Sequence, residues 1–115
     1  MRRLNRVRKL SEKDRQLLID VKDVVTRFVP DAEVMLYGSV ARGTATPESD
    51  YDILVITERK LSSGEESELD GAVYELELER EVVLSLVVYS REEWQRPIFR
   101  SSPYQKNVAR EGIVI

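Results

Sequence analysis

The chain has 115 residues, a net charge of −3 and 42% hydrophobic residues, which suits one globular domain with one core. It contains no cysteine and no histidine, which excludes disulfides, thiolate nucleophiles, zinc–thiolate sites and histidine general bases. No apolar run approaches 18 residues, so we expect no membrane span, and a cytoplasmic location follows as the default.

Charge is distributed unevenly along the chain. Residues 1–10 carry five basic side chains and no acid, whereas residues 48–81 carry twelve acids against three bases. The acidic segment would repel nucleic acid, so we do not expect an extended nucleic-acid-binding surface. The basic arm, residues 1–10, could contact nucleic acid or an acidic partner, but a solvated and frayed terminus is the simpler interpretation.

Periodicity and capping signals divide the chain into helices and strands. Apolar residues recur at helical spacing after four serines that can act as N-caps. The run 51–57 is so continuously apolar that we expect a central strand, buried on both faces. Residues 75–81 alternate charged and apolar side chains, which leaves open an earlier start for the third strand. The predicted elements are helix 11–28 capped by Ser11, strand 32–37, loop 38–49 with a helical turn at 40–42, strand 51–57, helix 63–78 capped by Ser63, strand 82–89, a short helix from Ser90 interrupted at Pro97, a helix from Ser102 closed by Gly112, and a short edge strand at 113–115.

This order of elements predicts the fold class. The sequence has no internal repeats and no low-complexity linker. We therefore expect residues 1–115 to form a single α/β domain (α+β), with a small mixed β-sheet flanked by helices. The oligomeric state stays open, a homo-oligomer included.

The stretch from Val34 to Ile56 holds the residues with the clearest chemistry. Asp50 and Asp52 begin the second strand, and residues two apart on a strand share a face. Two carboxylates so close repel each other, and a hard divalent cation such as Mg²⁺ would relieve that repulsion. Acids at the junction of a loop and a strand can also be ordinary turn residues.

The first strand of this stretch ends in a small-residue corner. Gly38 lets the backbone approach a ligand closely, and backbone N–H groups with the Ser39 hydroxyl can bond phosphate oxygens. Taken alone, this pair is more typical of a simple turn. Arg42 follows three residues later, either as a solvated cation or as a phosphate ligand whose planar fork suits two oxygens.

The spacing of these groups resembles the signature of the polymerase-β-like nucleotidyltransferase superfamily. Gly38-Ser39, ten intervening residues and Asp50-x-Asp52 stand between two apolar strands, and Gly43 follows Arg42. At this length the chain resembles the minimal nucleotidyltransferase domains, the small antitoxin-type partners of HEPN-domain toxins. The resemblance implies the polymerase-β-like fold, with Asp50 and Asp52 as catalytic metal ligands and with Gly38, Ser39 and Arg42 binding the nucleotide.

The same resemblance implies an activity and a partner. The expected reaction is Mg²⁺-dependent transfer of a nucleoside monophosphate, with ATP as the expected donor, onto a hydroxyl of a HEPN-domain protein. The family usually has a third carboxylate on the strand after the second helix, and the matching position here is Ser85. Glu79 or Glu81 could replace it only if that strand extended further back.

This departure leaves two other functions open. The first is a catalytically weakened nucleotide- and metal-binding antitoxin module that acts by complex formation. The second is a metal-dependent phosphohydrolase. The acceptor, the base preference and the level of activity are not determined by the sequence.

Overall fold

The computed structural model describes all of residues 1–115. It contains one five-stranded mixed sheet with helices on both faces, as the sequence predicts. The strands lie in the order β1-β5-β2-β3-β4. The elements are β1 (Arg2–Arg3), α1 (Glu12–Phe28), β2 (Glu33–Tyr37), α2 (Gly38–Arg42), β3 (Tyr51–Thr57), α3 (Ser63–Arg80), β4 (Leu84–Ser90), α4 (Arg91–Trp94), α5 (Pro97–Arg100), α6 (Pro103–Glu111) and β5 (Ile113–Val114).

Strand β3 occupies the centre of the three long strands. It pairs antiparallel with β2 and parallel with β4. The parallel pair is joined by α3, the kind of crossover that parallel strands need. Five successive residues, Ile53 to Thr57, are buried, which confirms the predicted central strand.

The two faces of the sheet have different cores. One face packs against α1 and α3 through a cluster of 20 buried, mainly aliphatic residues, including Leu18, Val21 and Ile53. The other face has a small cluster of four buried residues beneath α6 and a rim of aromatic side chains. Alternate residues of β3 serve the two faces, as the pleat of a strand requires.

Helix capping explains where the predicted boundaries hold and where they shift. The hydroxyl of Ser11 accepts the Asp14 N–H at the start of α1, as predicted. At α3 the predicted cap Ser63 is wrong by one residue. Ser62 accepts the Glu65 N–H, and the Glu65 carboxylate accepts the Ser62 N–H in return, so the reciprocal capping box begins one residue earlier.

The end of α3 settles the ambiguous segment 75–81. Helix α3 continues to Arg80, so the earlier strand start is wrong and β4 begins only at Leu84. Glu81 ends the helix in the left-handed region, with φ 55°. Glu79 therefore lies on a helix and Glu81 on a helix cap, and neither shares a strand with Ser85.

The basic arm is more ordered than predicted. Arg2 and Arg3 form β1, which pairs parallel with β5. Leu4 and Val7 are buried in the large core, and the Arg15 guanidinium donates to both of their carbonyl oxygens. The frayed-terminus interpretation is thus wrong for this segment, because Leu4 and Val7 are buried and the backbone of β1 is paired.

The C-terminal strand is also placed differently from the prediction. β5 lies between β1 and β2, so it is an interior strand and not an edge strand. Gly112 ends α6 as predicted, but in an extended conformation, with φ −65°. Glycine is needed there because a Cβ atom would overlap the carbonyl oxygen of Val108. None of the helices is both long and apolar enough to cross a membrane.

Candidate active site

The small-residue corner and the acidic pair lie side by side at one end of the sheet. In the antiparallel pairing of β2 with β3, Tyr37 is opposite Asp52. Helix α2 begins at Gly38, immediately after β2. The register therefore brings Gly38 and Ser39 next to the start of β3, as the sequence motif requires.

Gly38 touches the acidic pair directly. A Cβ atom on Gly38 would overlap Oδ2 of Asp52. Gly38 also has a φ of 80°, which residues other than glycine rarely adopt. Both the conformation and the space thus require glycine. The same contact keeps the Asp52 carboxylate against the start of α2.

The two carboxylates have different surroundings. Asp50 is exposed, whereas Asp52, the second residue of β3, is half-buried. Burial raises the pKa of Asp52, the negative charge of Asp50 raises it further, and the guanidinium of Arg42 opposes the rise. The ionised form of Asp52 is thus disfavoured by burial and by Asp50, and nearby positive charge stabilises it.

Ser85 lies beside Asp52 on the neighbouring strand. The parallel register pairs Asp52 with Ser85, and the serine is exposed. No group of three or more acidic side chains is arranged to hold a metal ion. Glu79 forms an ion pair with Arg80 at 3.8 Å, whereas Glu81, on its helix cap, lines the same cavity as Asp50.

Arg42 is not a free cation. Its Nη1 atom donates to Oε1 and Oε2 of Glu111, at 3.2 and 3.1 Å. The N–H of Gly38 donates to the same Oε1, at 3.1 Å. One carboxylate from the last residue of α6 therefore joins both ends of α2, where two of the predicted nucleotide-binding residues stand.

The N-terminal strand supports the same junction. The guanidinium of Arg2 donates to the carbonyl oxygen of Ala41 at 2.9 Å and to that of Glu111 at 3.2 Å. A residue of the basic arm thus joins α2 to α6 behind the corner.

Aromatic side chains line the sheet next to Asp52. Tyr37 and Tyr104 pack edge to face, with ring centroids 5.5 Å apart. The hydroxyl oxygen of Tyr104 is buried without a hydrogen-bond partner, and burial raises the pKa of Tyr104 strongly. Trp94 packs against Phe99, Tyr89 and Tyr104. Tyr51 points to the opposite face, where its hydroxyl donates to Asp14.

Sequence reasoning missed Glu111 and Arg2. An acid in the last turn of a helix opposes the helix dipole, so Glu111 is an unusual residue at that position. That anomaly is the single local signal that marks it. Nothing in the sequence near Arg2 indicates its contact with α2, because that contact depends on the pairing of β1 with β5.

Comparisons with known proteins bear on the family and the fold of the chain. The sequence model of a family described as "Nucleotidyltransferase domain" matches residues 7–114. A solved structure described as a toxin–antitoxin with AMP-PNP superposes with a TM-score of 0.54 at 18% sequence identity, covering 90% of this chain and 72% of that chain. At this identity the likeness shows a shared fold. No curated protein matches the chain.

Proposed function

Because the chain belongs to the nucleotidyltransferase domain family, we propose that it transfers AMP from ATP onto a hydroxyl group of a partner protein. The observation that carries this proposal is the contact between the Gly38 corner and the Asp52 carboxylate. It joins a phosphate-binding element to a pair of metal-binding acids in one site. We take residues 1–115 as the catalytic domain and the cytoplasm as its location.

The residues of the site fit Mg²⁺. Mg²⁺ is commonly held by one or two carboxylates, with substrate phosphates and water as its remaining ligands. Asp50 and Asp52 supply the two carboxylates, and their mutual repulsion, which adds to the effect of burial on the pKa of Asp52, is what a cation would relieve. When bound, the metal would neutralise phosphate charge and stabilise the leaving group.

The chain's own residues then bind and orient the triphosphate. The Ser39 hydroxyl and the backbone N–H groups that follow Gly38 hold phosphate oxygens, and the guanidinium of Arg42 holds a further pair, while the Gly38 N–H stays bonded to Glu111. An acceptor hydroxyl oxygen attacks the α-phosphorus, and the bond from that phosphorus to the oxygen bridging to the β-phosphorus breaks. Pyrophosphate leaves, and the acceptor proton passes to water or to a base of the partner.

The acceptor in this proposal belongs to a second protein. The solved structure that shares the fold is a toxin–antitoxin with AMP-PNP. From this likeness, and from the resemblance of the motif to minimal nucleotidyltransferase domains, we propose a HEPN-domain toxin as the partner. Modification of a toxin hydroxyl would add a bulky, charged group where the toxin needs a free surface.

One observation favours a second candidate function. Ser85 occupies the register position beside Asp52, where a third carboxylate would complete the acidic set. Without it, the domain would bind nucleotide and metal, but neutralise its partner by complex formation alone. A hydrolase that releases phosphate without transfer is the third alternative.

Label transfer separates these functions. The chain and the protein encoded beside it are incubated with Mg²⁺ and ATP labelled at the α-phosphate. We expect label on the partner, absent with Asp50→Asn or Asp52→Asn and retained with the control Asp70→Asn, an exposed acid on α3. A stable complex without label in any sample supports the binding module. Conversion of the labelled ATP to labelled ADP or AMP, without labelled protein, supports the hydrolase.

A further inference from the structure

Glu111 stands out among the residues that the proposed reaction does not use. It is the last residue of α6, its side chain is only 10% exposed, and its carboxylate reaches across to α2. A carboxylate at the C-terminal end of a helix is disfavoured by the helix dipole. Its position is therefore explained by what it binds and not by the helix that carries it.

Two groups of α2 converge on this carboxylate. Oε1 accepts the Gly38 N–H at 3.1 Å and Nη1 of Arg42 at 3.2 Å, and Oε2 accepts the same Nη1 at 3.1 Å. Charge-assisted hydrogen bonds of this kind hold long side chains in one geometry. The flexible guanidinium of Arg42 is thereby fixed relative to the backbone of the corner.

The arrangement leaves most of the Arg42 guanidinium available. Its Nε and Nη2 atoms make no hydrogen bond in the structure, and its side chain is 48% exposed. Glu111 occupies a single nitrogen of the guanidinium, so two of its nitrogens remain free to donate to a ligand.

We propose that Glu111 is a positioning residue, which fixes Arg42 and the start of α2 so that the guanidinium meets the β- and γ-phosphates of the bound nucleotide. This inference rests on the proposed function, because it assumes that Arg42 binds phosphate. Glu111 touches neither the nucleotide nor the reacting atoms, and acts through Arg42 and through the Gly38 N–H. The Arg2 contacts with Ala41 and with the Glu111 carbonyl oxygen keep the two helices at this junction.

The test is a double-mutant cycle read by calorimetric binding of ATP with Mg²⁺. Glu111→Gln should raise the dissociation constant for ATP about tenfold, because a neutral amide holds the guanidinium weakly. In an Arg42→Ala background the same substitution should raise it by clearly less than about tenfold, since only the bond to the Gly38 N–H then remains to be weakened. The affinity for AMP, which lacks the outer phosphates, should stay the same in both backgrounds.

Glu33→Gln is the matched control. It removes a carboxylate from an exposed ion pair with Arg91, remote from the corner, and should leave ATP affinity unchanged. Glu111→Gln with wild-type ATP affinity, an equal loss in the Arg42→Ala background, or tighter ATP binding would each overturn the positioning role while leaving the proposed function intact. A wild-type chain that binds no ATP would overturn both.

Discussion

The two faces of the sheet differ in what they are built from and in what they carry. The face beneath α1 and α3 is aliphatic and buried, with a cluster of 20 residues. The opposite face has four buried residues, several half-buried tyrosines and Asp52 at its end. The comparison teaches that most of the stabilising burial is on one side, which lets the other side keep polar groups in reach of solvent.

Strand β3 is where the two faces meet. Tyr51, Ile53 and Val55 point into the aliphatic core, whereas Asp52, Leu54 and Ile56 point to the aromatic face. A one-residue shift in register would exchange these sets, so the buried core also fixes where the carboxylates stand. Stability and chemistry should therefore respond separately to substitutions on the two faces.

The largest expected effect is a loss of activity without a loss of stability. Asp52→Asn removes a metal-binding carboxylate from the aromatic face, and we expect transfer to fall by about 1000-fold, which corresponds to ~4 kcal/mol in transition-state free energy. The free energy of unfolding should not fall, because one of two neighbouring like charges is gone. Rates of label transfer and urea denaturation measure the two quantities. A variant that keeps its rate, or that unfolds, would contradict the separation of the faces.

The converse effect is expected on the aliphatic face. Leu18 is fully buried on the inner side of α1, and Leu18→Ala should lower the free energy of unfolding by roughly 3 kcal/mol through lost burial and the cavity left behind. Transfer per folded molecule should not change. The control is Leu78→Ala, at a leucine that is 62% exposed, where we expect a change within about 0.5 kcal/mol. Equal losses at the two leucines would argue against this core.

Gly38 is the position where both properties should fall together. Gly38→Ala places a Cβ against the Asp52 carboxylate and demands a positive φ of a non-glycine residue. We expect a loss of about 2 kcal/mol in stability and a loss of nucleotide binding. Denaturation and calorimetry on the same preparation test this. Gly71→Ala is the control, because nothing lies within 4 Å of a Cβ at that exposed helical glycine.

The smallest expected effect concerns Tyr51, which ties β3 to α1. Its hydroxyl donates to Asp14 at 2.6 Å, and Tyr51→Phe should lower stability by about 1 kcal/mol. Burial, the bond to Asp14 and its charge raise the pKa of Tyr51 from 10.0 to about 12. A raised folded-state pKa means that this contribution is complete below pH 10 and is lost as the pH rises towards 12. Urea denaturation from pH 8 to 12 should show the free energies of unfolding of the wild-type chain and of Tyr51→Phe converging. A constant difference across this range would be evidence against the bond from Tyr51 to Asp14.

The predictable part of the structure depends on short-range signals. Ser11 and Ser90 each cap a helix by accepting the N–H of the residue three positions later, as their sequence pattern predicts. Strand β3 has the bounds that its apolar run predicts. The spacing of Gly38 and Asp52 indicates that the two meet, because the loop between them returns the chain along an antiparallel strand. These features depend on neighbours in sequence or on the single connection between the antiparallel strands β2 and β3.

The parts that the sequence did not predict depend on contacts between distant residues. β1 pairs with β5 from opposite ends of the chain, and this pairing orders the basic arm and makes β5 an interior strand. The bond from Arg42 to Glu111 spans 69 positions. No local pattern specifies such partners, so neither the ordering of the basic arm nor the contacts of Glu111 can be predicted from the sequence.

The central claim is that the Gly38–Ser39 corner and the two aspartates form one site for a metal-bearing nucleotide. A crystal structure with Mn²⁺ and a non-hydrolysable ATP analogue tests it most directly, because anomalous scattering locates the metal. The account predicts a manganese peak bonded to Asp50 and Asp52, with the phosphates against Ser39 and Arg42. Metal or phosphates bound elsewhere, with the corner and the acids untouched, would contradict it.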